Sequence, residues 1–136
     1  MNLTPQQGYE KLQADADAAL IDIRSSMEFL FVGHPVGAIH IPWIDEPDWE
    51  INPNFAEEIR KAMLRIVKDE DRVADSPVIL ICRSGVRSLQ AKQKLEEAGF
   101  TNVSHISEGF EGDLNENHQR STVGGWRFRG LPWEQC

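Results

Sequence analysis

Short apolar runs alternate along this chain with longer stretches in which apolar side chains recur every three or four positions. The first pattern reads as buried strand and the second as amphipathic helix. Strands are predicted at Ala19-Leu20-Ile21-Asp22-Ile23-Arg24, at Ala38-Ile39-His40-Ile41, at Ser76-Pro77-Val78-Ile79-Leu80-Ile81 and at Val103-Ser104-His105-Ile106. A first helix is predicted to open at Thr4, with Pro5 at its first position and Gln7 three residues after the cap. Asn54 to Val67 carries Phe55, Ile59, Met63 and Ile66 as one core-facing stripe. Ser88 to Ala98 is a further amphipathic helix, closed by Gly99. Near-continuously apolar strands separated by helices imply a parallel sheet covered on both faces. In such folds ligands collect at the carboxyl ends of the strands. The polar stretch Gly112 to Thr122 is expected to be a long surface connection.

The third strand runs straight into Cys82-Arg83-Ser84-Gly85-Val86-Arg87, and the helix beginning at Ser88 follows at once. A thiol in that position sits where loop N–H groups converge and where the positive end of a helix points. Both effects favour thiolate over thiol, and cysteines so placed ionise at pKa values of about 3.5–7.5. Arg83 and Arg87 add two permanent cations suited to an anionic substrate. Gly85 permits the tight turn that the loop requires. Ser88 is suited either to capping the helix or to donating to the thiolate. A cysteine at a strand end is often an inert core residue, but plain burial needs neither the two arginines nor the glycine. The loop therefore reads as a nucleophile in an anion cradle.

Composition narrows the choices. The 136 residues are 40% apolar and 26% charged, which are globular values, and the net charge of −8 argues against general binding to nucleic acid or anionic membranes. The longest strictly apolar run, Val78 to Cys82, is five residues, against about 20 for a membrane span. Met1-Asn2-Leu3-Thr4-Pro5 lacks the basic-then-apolar pattern of an export signal. Two cysteines, Cys82 and Cys136, make no disulfide framework, so a cytoplasmic location is expected. His34, His40, His105 and His118 are scattered without ligand spacing, and neither a metal nor a cofactor is expected.

Several separated motifs together resemble the single-domain rhodanese-like sulfurtransferases. Asp22-Ile23-Arg24 followed by Glu28-Phe29 is similar to the family's first signature, and Gly33-His34-Pro35-Val36-Gly37-Ala38 ending in Ile41-Pro42 to its second. The stretch from Cys82 to Ser88 resembles the active-site loop, Glu108-Gly109-Phe110 the turn after the last strand, and Gly130-Leu131-Pro132-Trp133 the usual ending. Two departures stand out: Pro35 lies two positions before Gly37 where the family has it adjacent, and Phe110 stands where a second glycine is common. The resemblance covers nearly the whole chain. It implies one rhodanese-like domain over residues 1–136, a three-layer α/β/α architecture with a central, mostly parallel five-stranded sheet.

It also implies a mechanism. The Cys82 thiolate would take the outer sulfur of a donor such as thiosulfate as a persulfide. Cyanide, a thiol or a partner protein's cysteine would then remove it, the two half-reactions being those of covalent catalysis. Backbone N–H groups of Arg83, Ser84, Gly85, Val86, Arg87 and Ser88 would stabilise the persulfide anion, and the two guanidinium groups would hold the donor's anionic end.

Two other classes use related parts. Cysteine phosphatases and arsenate reductases separate cysteine from arginine by five residues, whereas only Arg83, Ser84, Gly85 and Val86 lie between Cys82 and Arg87. That tighter cradle suits a single sulfur better than a tetrahedral oxyanion. Non-catalytic rhodanese-like binding modules typically lack the cysteine that this chain keeps.

Elsewhere the expectations are structural. Asp22 and Arg24 are expected to project from opposite faces of their strand and to find separate partners, since buried charges must be compensated. His34 is expected to serve a hydrogen bond in a turn. Trp43 and Trp49 are read as packing residues, with an overhang above the active site as the alternative. In Gly124-Gly125-Trp126-Arg127-Phe128-Arg129, Trp126 and Phe128 are expected to pack on the sheet. A docking role for that segment and a resolving-thiol role for Cys136 are the weaker readings.

Overall fold

The computed structural model describes residues 2–136. Its strands are β1 (Asn2–Leu3), β2 (Ala19–Asp22), β3 (His34–Pro35), β4 (Ile39–His40), β5 (Val78–Ile81), β6 (Val103–Ile106) and β7 (Trp133–Glu134). Five of them form one sheet in the order β1-β6-β5-β2-β4, every neighbour parallel, and β3 pairs with β7 in a small antiparallel ribbon. The helices are α1 (Pro5–Ala14), α2 (Phe55–Val67), the single turn α3 (Glu70–Val73) and α4 (Val86–Glu97). The four predicted strands are all present, β6 at its full expected length and β2, β4 and β5 shortened, and the fifth, β1, is a two-residue strand too short to show a period.

Local chemistry accounts for the helix starts. The Thr4 hydroxyl accepts the Gln7 N–H at 3.1 Å while Gln7 Oε1 accepts the Thr4 N–H at 3.0 Å, closing a capping box at α1. The α2 stripe buries Phe55, Ile59, Ala62, Met63 and Val67. Helix α4 begins two residues earlier than its apolar pattern suggests, because the left-handed turn at Gly85 (φ +102°) sets its entry. Ser88 therefore lies in the first turn, buried, and is not the cap.

Strand alternation divides the core into two layers. Ile21, Ile23, Val78, Leu80 and Cys82 face Phe55, Ile59, Met63, Ala91 and Leu95 of α2 and α4. Leu20, Ile79, Ile81 and Ile106 face Tyr9 and Leu12 of α1 together with Phe110, Trp126 and Leu131. The sheet is thus covered on both sides, and β5 lies at its centre with Cys82 at its carboxyl end. In the C-terminal segment Trp126 is 1% exposed and donates its indole N–H to Pro132 O at 2.8 Å. Phe128, by contrast, is 43% exposed and does not pack on the sheet as expected. Gly112 to Thr122 is a surface connection without helix or strand. Among the described residues no helix is long and apolar enough to cross a membrane.

Asp22 and Arg24 correct the expectation of separate partners. Side chains two apart share a face of a strand, and both point to the Phe110 side. Arg24 donates from Nε to Asp22 Oδ1 at 3.0 Å and from NH2 to Asp22 Oδ2 at 2.8 Å, and also to Gly33 O. Its guanidinium carbon stands 4.5 Å from the centre of the Phe110 ring, so the aromatic found in place of a glycine covers a buried cation. Both members of the pair are fully buried. Asp22→Ala should destabilise the fold by about 3–5 kcal/mol, since it leaves a buried charge uncompensated. Urea unfolding of the two proteins measures this, and Asp22→Asn should cost less because it keeps an acceptor.

Candidate active site

Cys82 leaves β5 on the α2/α4 side of the sheet and is 1% exposed. Its sulfur accepts the N–H of Gly85 at 3.1 Å and the N–H of Ser88 at 3.3 Å, and lies 3.3 Å from the Ser88 hydroxyl. Among the described residues, the N–H groups of Arg83, Ser84, Val86 and Arg87 make no hydrogen bond to this sulfur. The loop can curl this tightly because two backbones meet with no Cβ between them. A Cβ on Gly85 would fall 2.2 Å from Ser107 O, and one on Gly109 (φ +70°) would fall 2.5 Å from the carbonyl group of Arg83. Phe110 and Glu111 then donate their N–H groups to Cys82 O at 2.8 Å and Arg83 O at 2.9 Å, bracing the loop from behind.

The two loop arginines have different surroundings. Arg87 is half-buried and forked onto Glu28, NH1 to Oε1 at 2.9 Å and NH2 to Oε2 at 3.0 Å. Arg83 is exposed, and its guanidinium has no hydrogen-bond or ion-pair partner among the described residues. Ser25, Met27, Glu28, Trp49, Arg83 and Arg87 line an open cavity of about 440 Å³. Cys82 itself is buried and does not line it, but the loop that it opens contributes Arg83 and Arg87. Ser84 is half-buried and faces a second cavity with Glu108 and Arg129, and Val86 points outward, so neither side chain joins the first cavity. Of the two tryptophans, Trp43 is buried edge-on against Phe55 with ring centres 5.0 Å apart. Trp49 is exposed and overhangs the cavity.

Glu28 stands in a π-helical turn, Glu28–Val32, that opens with a reciprocal arrangement. Ser25 donates its N–H and its hydroxyl to Glu28 Oε1, each at 3.1 Å, while Glu28 donates its N–H back to Ser25 Oγ at 3.3 Å. Burial pushes the carboxyl up, but the Arg87 hydrogen bonds and charge, with the Ser25 donors, outweigh it and bring Glu28 from 4.5 down to about 2. No role for Glu28 follows from its place in the sequence alone. The available signal was the spacing Ser25-x-x-Glu28, a capping-box pattern placed before an apolar run. His34 serves hydrogen bonding as expected, with Nδ1 2.8 Å from Phe29 O and its ring stacked on Phe29. Cys136 is exposed and its N–H is bonded to Leu30 O at 3.1 Å. Among the described residues no cluster of three or more His, Cys, Asp or Glu side chains is placed to hold a metal.

A cysteine under a glycine turn, at the carboxyl end of the central strand of a five-stranded parallel sheet, defines a known class of domain. The chain matches the rhodanese-like domain over residues 4–116 and belongs to that family. It is 34% identical over 110 residues to the thiosulfate sulfurtransferase GlpE of Haemophilus influenzae, covering 81% of this chain and 84% of that protein. It is similar to the crystal structure of Rv0390 from M. tuberculosis, with a TM-score of 0.78 and 37% identity over 99% of this chain and 97% of that one. The polysulfide-sulfur transferase homodimer of Wolinella succinogenes shares the fold, with a TM-score of 0.58 and 20% identity over 100% of this chain and 79% of its own.

The depressed Glu28 carboxyl has a signed consequence. It adds stability that is fully present above its unfolded value near 4.5 and is lost as pH falls through about 2. Glu28→Gln should therefore be less stable than the parent at neutral pH, with the difference shrinking as pH falls from 4.5 towards 2. Chemical unfolding at a series of pH values measures it. A constant difference across that window would mean that the ion pair is not its source.

Proposed function

We propose that this protein is a sulfurtransferase that carries a sulfane sulfur on Cys82. The observation that carries the reading is a buried sulfur held by two backbone N–H groups in a loop whose Arg83 and Arg87 line an open cavity, Arg83 without a partner among the described residues. In the first half-reaction the Cys82 thiolate attacks the outer sulfur of an anionic donor such as thiosulfate. The new S–S bond forms as the donor's own S–S bond breaks, and sulfite leaves with that electron pair. The N–H groups of Gly85 and Ser88 stabilise sulfur-borne negative charge on each side of the step, as an oxyanion hole does for oxygen. In the second, a nucleophilic acceptor takes the outer sulfur and the S–S electron pair returns to Cys82. Dividing one transfer into two gives ping-pong kinetics.

The donor's charged end belongs with Arg83. Arg87, whose charge Glu28 already compensates, holds the loop against the turn at Glu28 and adds only residual field. The wide mouth beside Met27 and Trp49 has room for an acceptor thiol, small or carried by a protein. The reaction needs neither metal nor cofactor, because both half-reactions displace one sulfur by another nucleophile. The cytoplasm, where thiols stay reduced, suits this chemistry. The retained Cys82 favours catalysis over a purely binding module.

Cys82→Ser should abolish thiosulfate-to-cyanide transfer, whereas Cys136→Ser should keep most of it; activity surviving without Cys82 would overturn the proposal. The same assays on an aryl phosphate should give negligible hydrolysis. Robust Cys82-dependent phosphate release would instead favour phosphoryl chemistry.

The cations separate in the same assay. A charge-assisted hydrogen bond contributes about 1.5–3 kcal/mol, or about 10- to 100-fold. Arg83→Ala should sit at the lower end of that range, because exposed charges are screened. Its loss should appear in the KM for thiosulfate and shrink with added salt. An uncharged persulfide donor should be little affected.

A further inference from the structure

Behind Cys82, away from the cavity, a continuous hydrogen-bonded chain crosses the sheet. Cys82 Sγ lies 3.3 Å from Ser88 Oγ, Ser88 Oγ lies 2.7 Å from His105 Nδ1, and His105 Nε2 lies 2.9 Å from Asn2 Oδ1. Ser88 is fully buried and His105 is 3% exposed, while Asn2 is exposed on the edge strand β1. The register of β1 on β6 sets Asn2 directly beside His105. The partners dictate the direction of every link. Asn2 Oδ1 has only lone pairs to offer, so Nε2 carries the imidazole proton and Nδ1 is an acceptor. The Ser88 hydroxyl then donates into Nδ1, and its own oxygen accepts from the thiol of Cys82.

We propose that His105 is a positioning residue that receives the proton of Cys82 through the Ser88 hydroxyl. The S–H bond breaks as an O–H bond forms on Ser88, and the original Ser88 O–H bond breaks as an N–H bond forms at Nδ1. The products are a thiolate and an imidazolium, with no change in oxidation state and no other reactant. Nε2–H stays on Asn2 Oδ1 throughout. The new Ser88 O–H points at the thiolate and joins the N–H groups of Gly85 and Ser88 there.

Two further observations support this route. The lining of the cavity supplies no competing base, since its one carboxylate, Glu28, is forked onto Arg87 and lies at about 2. Burial, helped by the positive charges of the N-terminal ammonium and Lys92, lowers the proton affinity of His105, so the ring is neutral at rest with its Nδ1 lone pair available. The charged groups that act on the chain are the N-terminal ammonium and Lys92 of α4 at His105, Arg87 with Glu28 and the exposed Arg83 near Cys82, and the closed Asp22–Arg24 pair. None of them replaces His105 as an acceptor within reach of Ser88.

The inference rests on Cys82 being the nucleophile, but its test reads ionisation and not sulfur transfer. In a Cys136→Ser background, the rate of Cys82 alkylation by iodoacetamide is followed against pH. His105→Gln should move the midpoint up by about one pH unit, because the opposite charge that accompanies the thiolate is gone. Asn2→Asp gives the sharper result. A carboxylate beneath Nε2–H favours the imidazolium, so the midpoint should fall by about half a unit or more, although bare repulsion between two anions would raise it. The fall should disappear when Asn2→Asp is combined with His105→Gln. A midpoint that rises in Asn2→Asp, or that stays put in His105→Gln, overturns the proposal. Because Asn2 is exposed, its variant reads the chain even if His105→Gln does not fold. A protein that passes this test and still takes no sulfur from any donor would contradict the transferase reading alone.

Discussion

The site depends on one constraint: the chain must pass from a buried strand into a helix within four residues while aiming N–H groups back at the sulfur that ends the strand. Gly85 meets the constraint with a left-handed turn that a side chain would block against Ser107 O. Gly109 meets it from the other side by lying against the Arg83 carbonyl group. The first turn of α4 is then held with its positive end on Cys82. The parallel sheet serves this geometry. With β5 at its centre and both faces covered, the loop's anchor is among the most buried parts of the molecule, and the cavity above it opens at the carboxyl edge.

Charge around the loop is handled by compensation. Asp22 closes Arg24 inside the core and Glu28 closes Arg87 at the loop, each as a forked pair. Glu28 owes its low value of about 2 to Arg87 and Ser25 acting against burial. What remains at the mouth is Arg83, an exposed cation on a protein of net charge −8. A local positive spot on an acidic surface concentrates small anions at one place. The hydrogen bonds of Ser88 and His105 run towards β6 and β1, whereas the cavity is lined by residues that follow β2, β4 and β5.

Much of this was legible in the amino-acid order, for identifiable reasons. Cys82, its glycine and its arginines are contiguous, and a contiguous motif survives without knowledge of tertiary contacts. The helix stripes of Phe55, Ile59 and Met63 and the apolar run of β5 carry strong periods. The strand β1 has two residues and no period, so its place at the sheet edge, and with it Asn2 beside His105, could not be read. The joining of Glu28 to Arg87 spans 59 positions and is set by the turn at Ser25. Asp22 and Arg24 are legible as partners, since residues two apart share a strand face, and hydrogen-bonded pairing on that face replaces the expectation of opposite sides. Trp126 and Phe128 carry similar apolar content two residues apart, and only tertiary packing separates the buried ring from the exposed one.

The central claim is that Cys82 is the atom that stores the transferred sulfur. Intact-mass spectrometry of the protein after incubation with thiosulfate, followed by peptide mapping, tests it directly. One sulfur should be gained on the Cys82 peptide, with sulfite released in equal amount, and that sulfur should be lost when cyanide is added. A protein that turns over thiosulfate while Cys82 gains no mass, or that carries the added sulfur on Cys136, would contradict it.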